Sequence, residues 1–70
     1  MYRIKKEKVE EFKKLRKEGI TNRSVAKKCG LTESYISEIL NGREIRKTPA
    51  FCFVKSINND LEIADFFEII

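Results

Sequence analysis

The sequence predicts an all-α fold, a compact bundle of about five short helices that forms a single domain of residues 1–70. Apolar residues recur at intervals of three and four along the chain, which is the spacing of one helix face. Gly19, Gly30, Gly42 and Pro49 divide the chain into short segments of this kind. No stretch alternates between apolar and polar residues as a half-buried strand does. We therefore expect helices and no sheet.

The first helix is predicted from about Ile4 to Glu18. Its apolar stripe consists of Ile4, Val9, Phe12 and Leu15, and the rest of the segment is charged. Gly19 follows the last turn, where a helix end favours a residue that tolerates positive φ. The lysines of this helix could contact a polyanion, or they could form a solvated face with no partner.

Two shorter helices are predicted next, with a tight turn at Gly30 between them. The first runs from Asn22 to about Cys29, and Thr21 or Asn22 can cap its free N–H groups. The second has Thr32 as its predicted N-cap and stops at the Asn41-Gly42 pair. Apolar residues mark the buried face of each helix: Val25, Ala26 and Cys29 on the first, and Ile36, Ile39 and Leu40 on the second.

Two more helices complete the prediction. A polar, basic loop of residues 43–47 leads to a helix that Thr48 and Pro49 would open, as cap and first helical residue, and that ends near Ile57. The last helix is predicted from Leu61 to Ile70 and is apolar on more than one face. Its residues Phe66, Phe67, Ile69 and Ile70 could either close the core or form a contact between two copies of the chain.

The charge of the chain is unevenly distributed. Residues 1–30 contain 11 Lys/Arg and 4 Glu, whereas residues 31–70 contain 4 Lys/Arg and 7 Asp/Glu, although the formal net charge is only +4. A basic half suits a polyanion such as DNA. We expect the acidic half to face solvent or a protein.

The composition also argues against several classes of protein. No apolar run approaches the roughly 20 residues that a transmembrane helix needs, so we expect no membrane partner and a cytoplasmic location. With two cysteines and no histidine, the chain offers neither a disulfide framework nor a zinc site, and we interpret Cys29 and Cys52 as small buried apolar residues. There is also no glycine-rich phosphate loop and no nucleophile with a plausible base. We therefore expect no enzyme, no cofactor and no small-molecule substrate.

The stretch from Asn22 to Gly42 carries the functional signal, because it has the features of a helix-turn-helix. Ala26 provides a small side chain where the two helices cross, and Gly30 provides a residue free to take positive φ. Ile36 and Ile39 would dock one edge of the second helix on the rest of the domain. The opposite edge of this helix would then project from the domain, and a helix exposed in this way fits the roughly 12 Å major groove of B-DNA.

These residues resemble the Cro/CI (Xre-type) helix-turn-helix proteins of phages and bacteria. The matching residues are Val25, Ala26, Gly30, Leu31, Ile36 and Ile39, followed by the Asn41-Gly42 pair. The ending of the first helix at residues 15–19 is also similar, and the resemblance covers about residues 3–57. It implies a lambda-repressor-like fold and duplex DNA as the partner. The chain departs from the family pattern in the longer stretch before Pro49, which could be a basic arm that grips phosphate or a loop with no role.

The resemblance also implies which residues contact a partner. The groove-facing residues of the recognition helix would be Thr32, Glu33, Ser34, Ser37 and Glu38, with Tyr35 nearby against sugar and phosphate. The residues that hold the DNA backbone would be Asn22 and Arg23 at one end and Asn41, Arg43, Arg46 and Lys47 at the other. Such backbone contacts position a protein on DNA without specifying a sequence.

The predicted recognition helix has an unusual composition for this task. Before Asn41 it contains no Arg, Lys, Gln or Asn. These are the side chains that recognise guanine or adenine by forming two hydrogen bonds to a single base. The helix contains two glutamates instead. The negative charge of Glu33 can stabilise the N-terminus of the helix, but Glu38 has no such role. We therefore expect weak or indirect DNA binding if the chain acts alone.

Two functions follow from these features. The first is a small phage-type transcriptional regulator that binds a pseudo-palindromic operator, with a homodimer supplying the affinity that one small domain lacks. The second is an antirepressor or modulator whose acidic recognition helix occupies the DNA-reading face of another repressor protein. Both functions use the same fold, so the sequence pattern alone does not separate them.

Overall fold

Five α-helices and one small antiparallel sheet make up the chain in a computed structural model that describes all 70 residues. The elements are β1 (Tyr2–Ile4), α1 (Lys6–Lys14), a 3₁₀ turn (Leu15–Glu18), α2 (Asn22–Cys29), α3 (Glu33–Leu40), α4 (Lys47–Ile57), α5 (Ile63–Phe66) and β2 (Phe67–Ile69). The structure is mostly helical, as the sequence predicts. The prediction of a fold without strands is wrong at the two ends of the chain.

The sheet joins the N-terminal and C-terminal segments. β1 and β2 pair antiparallel, with Arg3 opposite Glu68 and Ile4 opposite Phe67. The first helix therefore begins at Lys6 and not at Ile4, and the last helix stops at Phe66 before the chain becomes extended. Strands of three residues are too short to show alternation, and a short apolar run does not distinguish helix from strand. The partner of each strand also lies at the other end of the chain, where no local pattern reveals it.

α4 begins earlier than predicted. Its first residue is Lys47, and Arg46 occupies the N-cap position without any side-chain hydrogen bond. Thr48 is therefore not the cap, and Pro49 is the third helical residue instead of the first. Proline is tolerated there because the N–H groups of the first turn have no partner within the helix.

The core is centred on α4. Phe53 is completely buried, and its ring lies 5.3 Å from that of Phe12, 6.4 Å from that of Phe66 and 5.5 Å from that of Phe67, measured between centroids. α4 also packs against α2, and α2 packs against α3. The buried residues come from every element except the 3₁₀ turn: Ile4, Phe12, Val25, Ala26, Ile36, Ile39, Ile45, Ala50, Phe53, Val54, Phe66 and Phe67. Phe66 and Phe67 thus close the core, as one of the two interpretations of the last segment proposed.

The segment between α3 and α4 is not a free polar loop. Ile45 is buried, and its main-chain N–H and C=O exchange hydrogen bonds of 2.8 Å with the C=O and N–H of Tyr2. Ile45 therefore extends the sheet on the side of β1 away from β2. This contact fixes the middle of the longer segment against the body, while the charged residues on either side of it remain exposed.

The two cysteines are free and only partly buried, on the packed faces of α2 and α4. Burial, followed by the neighbouring Cys52 thiol, raises the pKa of Cys29 to about 12. Because the thiolate is the reactive form, Cys29 should resist alkylation at neutral pH.

This property is measurable in a Cys52→Ala variant, in which Cys29 is the single thiol and burial still acts on it. We expect the rate of alkylation by iodoacetamide to rise with pH through an inflection well above the value of about 8.5 for a free cysteine. The same variant in denaturant should return to the free-cysteine profile. If the alkylation rate had its inflection at the same pH in the folded and the denatured chain, the burial of Cys29 would be contradicted.

A candidate nucleic-acid interface

The helix-turn-helix is held in place by hydrogen bonds at both ends of α2. Thr21 and Ser24 form a capping box, in which each side chain accepts a hydrogen bond from the main-chain N–H of the other. At the other end, Gly30 adopts φ +67°, in the left-handed region that favours glycine, and Leu31 N–H donates to the carbonyl of Ala26 at 2.9 Å. The chain therefore turns sharply into α3, with Ala26 buried on the packed face of α2.

α3 is docked by one edge only. Its N-cap is Thr32, whose hydroxyl accepts a 3.1 Å hydrogen bond from Tyr35 N–H, as predicted. Ile36 and Ile39 are fully buried on the inner edge. The predicted groove-facing residues are all exposed on the structure: Thr32, Glu33, Ser34, Ser37 and Glu38. Tyr35 is half-buried, between the two edges.

The C-terminal end of α3 folds back on itself. Gly42 adopts φ +99°, and the N–H groups of Gly42 and Arg43 donate to the carbonyls of Ile39 and Glu38, both at 3.0 Å. The guanidinium of Arg43 forms an ion pair with the Glu38 carboxylate and lies 4.7 Å from the centroid of the Tyr35 ring. Sequence reasoning assigned Glu38 no partner, because a contact between positions 38 and 43 depends on the turn that Gly42 makes.

A cleft separates the N-terminal end of α2 from the C-terminal end of α3. It has a volume of about 150 Å³, and three predicted contact residues line it: Asn22, Ser37 and Asn41. Lys13 and Arg16 line it as well, from α1 and the 3₁₀ turn. The sequence analysis left open whether the lysines of the first helix contact a polyanion and did not single out this pair, although their spacing of three residues places them on one helix face. The cleft thus combines hydroxyl and amide groups with two cations, a set of donors that suits a phosphate group.

The other predicted backbone contacts lie outside this cleft. Arg23 is exposed on the first turn of α2, and Arg46 and Lys47 are exposed at the start of α4. None of the three is among the four ion pairs of the chain, so their charges are free to meet a polyanion. Unpaired, exposed cations therefore lie at the first turn of α2 and at the start of α4, whereas Arg43 is already paired with Glu38 of α3.

No group of three or more His, Cys, Asp or Glu side chains has an arrangement that could hold a metal ion. None of the helices has the length and apolar character needed to cross a membrane.

Comparison with known proteins gives one match. A family model described as helix-turn-helix matches residues 12–52, more than half of the chain. Those residues extend from the last turn of α1 to the middle of α4 and include the whole of α2 and α3. No curated protein and no solved structure matches the chain.

Proposed function

The chain belongs to the Cro/CI-type (Xre-like) helix-turn-helix family, and we propose that it is a phage-type transcriptional regulator that binds operator DNA through α3. The family membership makes it a DNA-binding helix-turn-helix regulator. The proposal adds that the exposed edge of α3 contacts the DNA, that the operator has two-fold symmetry and that the chain binds it as a homodimer. Residues 1–70 would act as one domain, with the groove-facing and backbone-contacting residues that the resemblance implies.

The exposure of α3 carries this proposal. Its outer edge presents Ser34, Ser37 and Glu38 to solvent, while Ile36 and Ile39 hold the inner edge in the core. A helix docked in this way can enter the major groove without any rearrangement of the domain. The cleft beside it would seat one backbone phosphate against Lys13, Arg16 and the first turn of α2.

The contact between Glu38 and Arg43 favours DNA over a basic protein partner. An antirepressor that imitates phosphate needs a free negative charge on its recognition helix. In this chain the Glu38 carboxylate is paired with a guanidinium, and Glu33 lies in the first turn, where the helix N-terminus favours its charge. Neither glutamate therefore repels phosphate as strongly as the sequence suggests.

Dimerisation is the second part of the proposal, with a second copy of this chain on the open edge of β2. Lys5 N–H donates to Phe66 O and Ile70 N–H donates to Met1 O, so the alternation of an antiparallel ladder directs the main-chain groups of Ile69 away from β1. The Ile69 side chain is 79% exposed. An edge strand of this kind can pair with its own copy about a two-fold axis.

A selection from random duplex DNA tests the function. We expect the pure protein to enrich a motif with two-fold symmetry and its affinity to fall by about 10³-fold between roughly 50 and 200 mM salt, if a dimer neutralises about six phosphates. Arg23→Ala should weaken binding to all sequences and flatten the salt dependence, because Arg23 has no other partner.

Lys55→Ala is the matched control, since it removes the same charge from the far end of α4, where Lys55 is bonded to the Asn59 carbonyl. It should leave both affinity and salt dependence nearly unchanged. If no motif were enriched and the protein instead bound a purified repressor tightly with little salt dependence, the modulator function would replace this proposal.

A further inference from the structure

The exposed edge of α3 does not itself carry an efficient reader of bases. Its exposed side chains are hydroxyls and carboxylates, and no Arg, Lys or Gln occurs between Thr32 and Leu40. Guanine is read most effectively by an arginine, which donates two hydrogen bonds to O6 and N7 in the major groove. Hydroxyls and carboxylates are less common readers of base edges, so a regulator that uses this helix gains discrimination from a base-reading group elsewhere in the chain.

Arg43 is placed on α3 by the main chain. The left-handed conformation of Gly42 reverses the direction of the chain, and the N–H of Arg43 donates to the carbonyl of Glu38, in the last turn of the helix. Ile45, two residues later, is fixed in the core by its pairing with Tyr2. The backbone at position 43 is therefore held from both sides.

The side chain of Arg43 is also held. Its guanidinium lies over the ring of Tyr35, eight residues earlier in the sequence, and one Nη1–H group donates to the Glu38 carboxylate. Tyr35 and Glu38 are three residues apart and so occupy neighbouring positions on one helix face. The arginine thus lies along α3, and its side chain remains about half exposed.

This arrangement suits base reading better than phosphate binding. A guanidinium has five N–H donors in a planar fork, so the bond to Glu38 leaves most of them free. Stacking on the tyrosine and pairing with the glutamate fix the side chain before DNA arrives, which reduces the conformational entropy lost on binding. Arg46 and Lys47, which have no ion-pair partner, remain the better candidates for contact with phosphate.

We propose that Arg43, positioned by Tyr35 and Glu38, reads a guanine in the major groove instead of holding the DNA backbone as the resemblance implies, and so supplies the base specificity that α3 lacks. The inference rests on the proposed function and deepens it. Glu38 is a positioning residue in this arrangement and not a base contact.

Binding of the selected motif, and of the same motif with single base-pair changes, tests the inference. The wild type should discriminate against replacement of the contacted G·C pair in a single half-site by about 5- to 150-fold, the range for one bidentate arginine contact. Arg43→Lys keeps the charge but loses the fork, so it should lose most of this discrimination at that pair while the salt dependence stays the same. Glu38→Gln should reduce discrimination at the same pair without altering the circular-dichroism spectrum.

Arg46→Ala is the matched control from the same segment. It should weaken binding to every sequence by a similar factor and lower the salt slope by about two, because each copy in the dimer loses one phosphate contact. If Arg43→Lys and Arg43→Ala kept the discrimination, or if Arg43→Ala behaved like Arg46→Ala, Arg43 would be a phosphate contact and the inference would be wrong, with the proposed function intact. Failure of the selection itself would instead contradict the proposed function.

Discussion

A Phe53→Ala variant should lose about 3–5 kcal/mol of its free energy of unfolding, the range for removal of a buried aromatic side chain. Phe53 has no exposed surface and touches the rings of Phe12, Phe66 and Phe67, so the cavity would open at the point where α1, α4 and the C-terminal segment meet. A domain of this size rarely has more than about 5 kcal/mol from its core. Urea denaturation followed by circular dichroism should therefore find the variant largely unfolded, or close to it.

The control for this experiment lies on the same helix. Phe51 is 50% exposed, and its ring faces the ammonium group of Lys55 at 5.4 Å from the centroid. An exposed contact of this kind contributes about 0.5–1 kcal/mol, so Phe51→Ala should remain folded. Similar losses from the two substitutions would contradict a core centred on Phe53, because the two residues have the same intrinsic helix propensity.

The parts of the fold that could be predicted from sequence are those fixed by neighbouring residues. Thr32 caps α3 and Gly30 adopts positive φ because each acts within one turn of its own position. The buried edge formed by Ile36 and Ile39 follows from their spacing alone. The exposed edge of α3 is then a consequence of the buried one, which is why the placement of Ser37 could be anticipated although its contact with DNA remains a prediction.

The parts that could not be predicted depend on contacts between distant positions. Ile45 is one apolar residue in a charged segment, and nothing near it in the sequence indicates that Tyr2 is its partner. Likewise, nothing in the sequence near Arg43 indicates that its side chain lies over Tyr35 or pairs with Glu38. Each of these contacts depends on a single side chain. Periodicity cannot predict such a contact, because it is a property of several regularly spaced residues.

The second large effect is expected for Ile45→Ala, at about 2–5 kcal/mol of the free energy of unfolding. Ile45 is as deeply buried as Phe12, and its side chain anchors the segment that joins α3 to α4. The main-chain hydrogen bonds to Tyr2 do not require the isoleucine side chain, so the loss should come from the core. Denaturation by urea measures it, and Glu44→Ala, an exposed change one residue earlier, should stay within about 0.5 kcal/mol of the wild type.

The same variant separates two explanations of the longer segment before α4. If the extra residues formed only a basic arm, Ile45→Ala would leave stability nearly unchanged, since an arm contributes through its charges. If the buried Ile45 side chain instead helps to fix the end of α3 to the sheet, its loss also loosens this attachment two residues from Arg43, although the main-chain hydrogen bonds to Tyr2 can still form. Discrimination between DNA sequences should then weaken even where enough variant remains folded to bind, whereas Glu44→Ala should preserve it. The added length would in that case serve to hold an arginine on the recognition helix, not to extend the grip on phosphate.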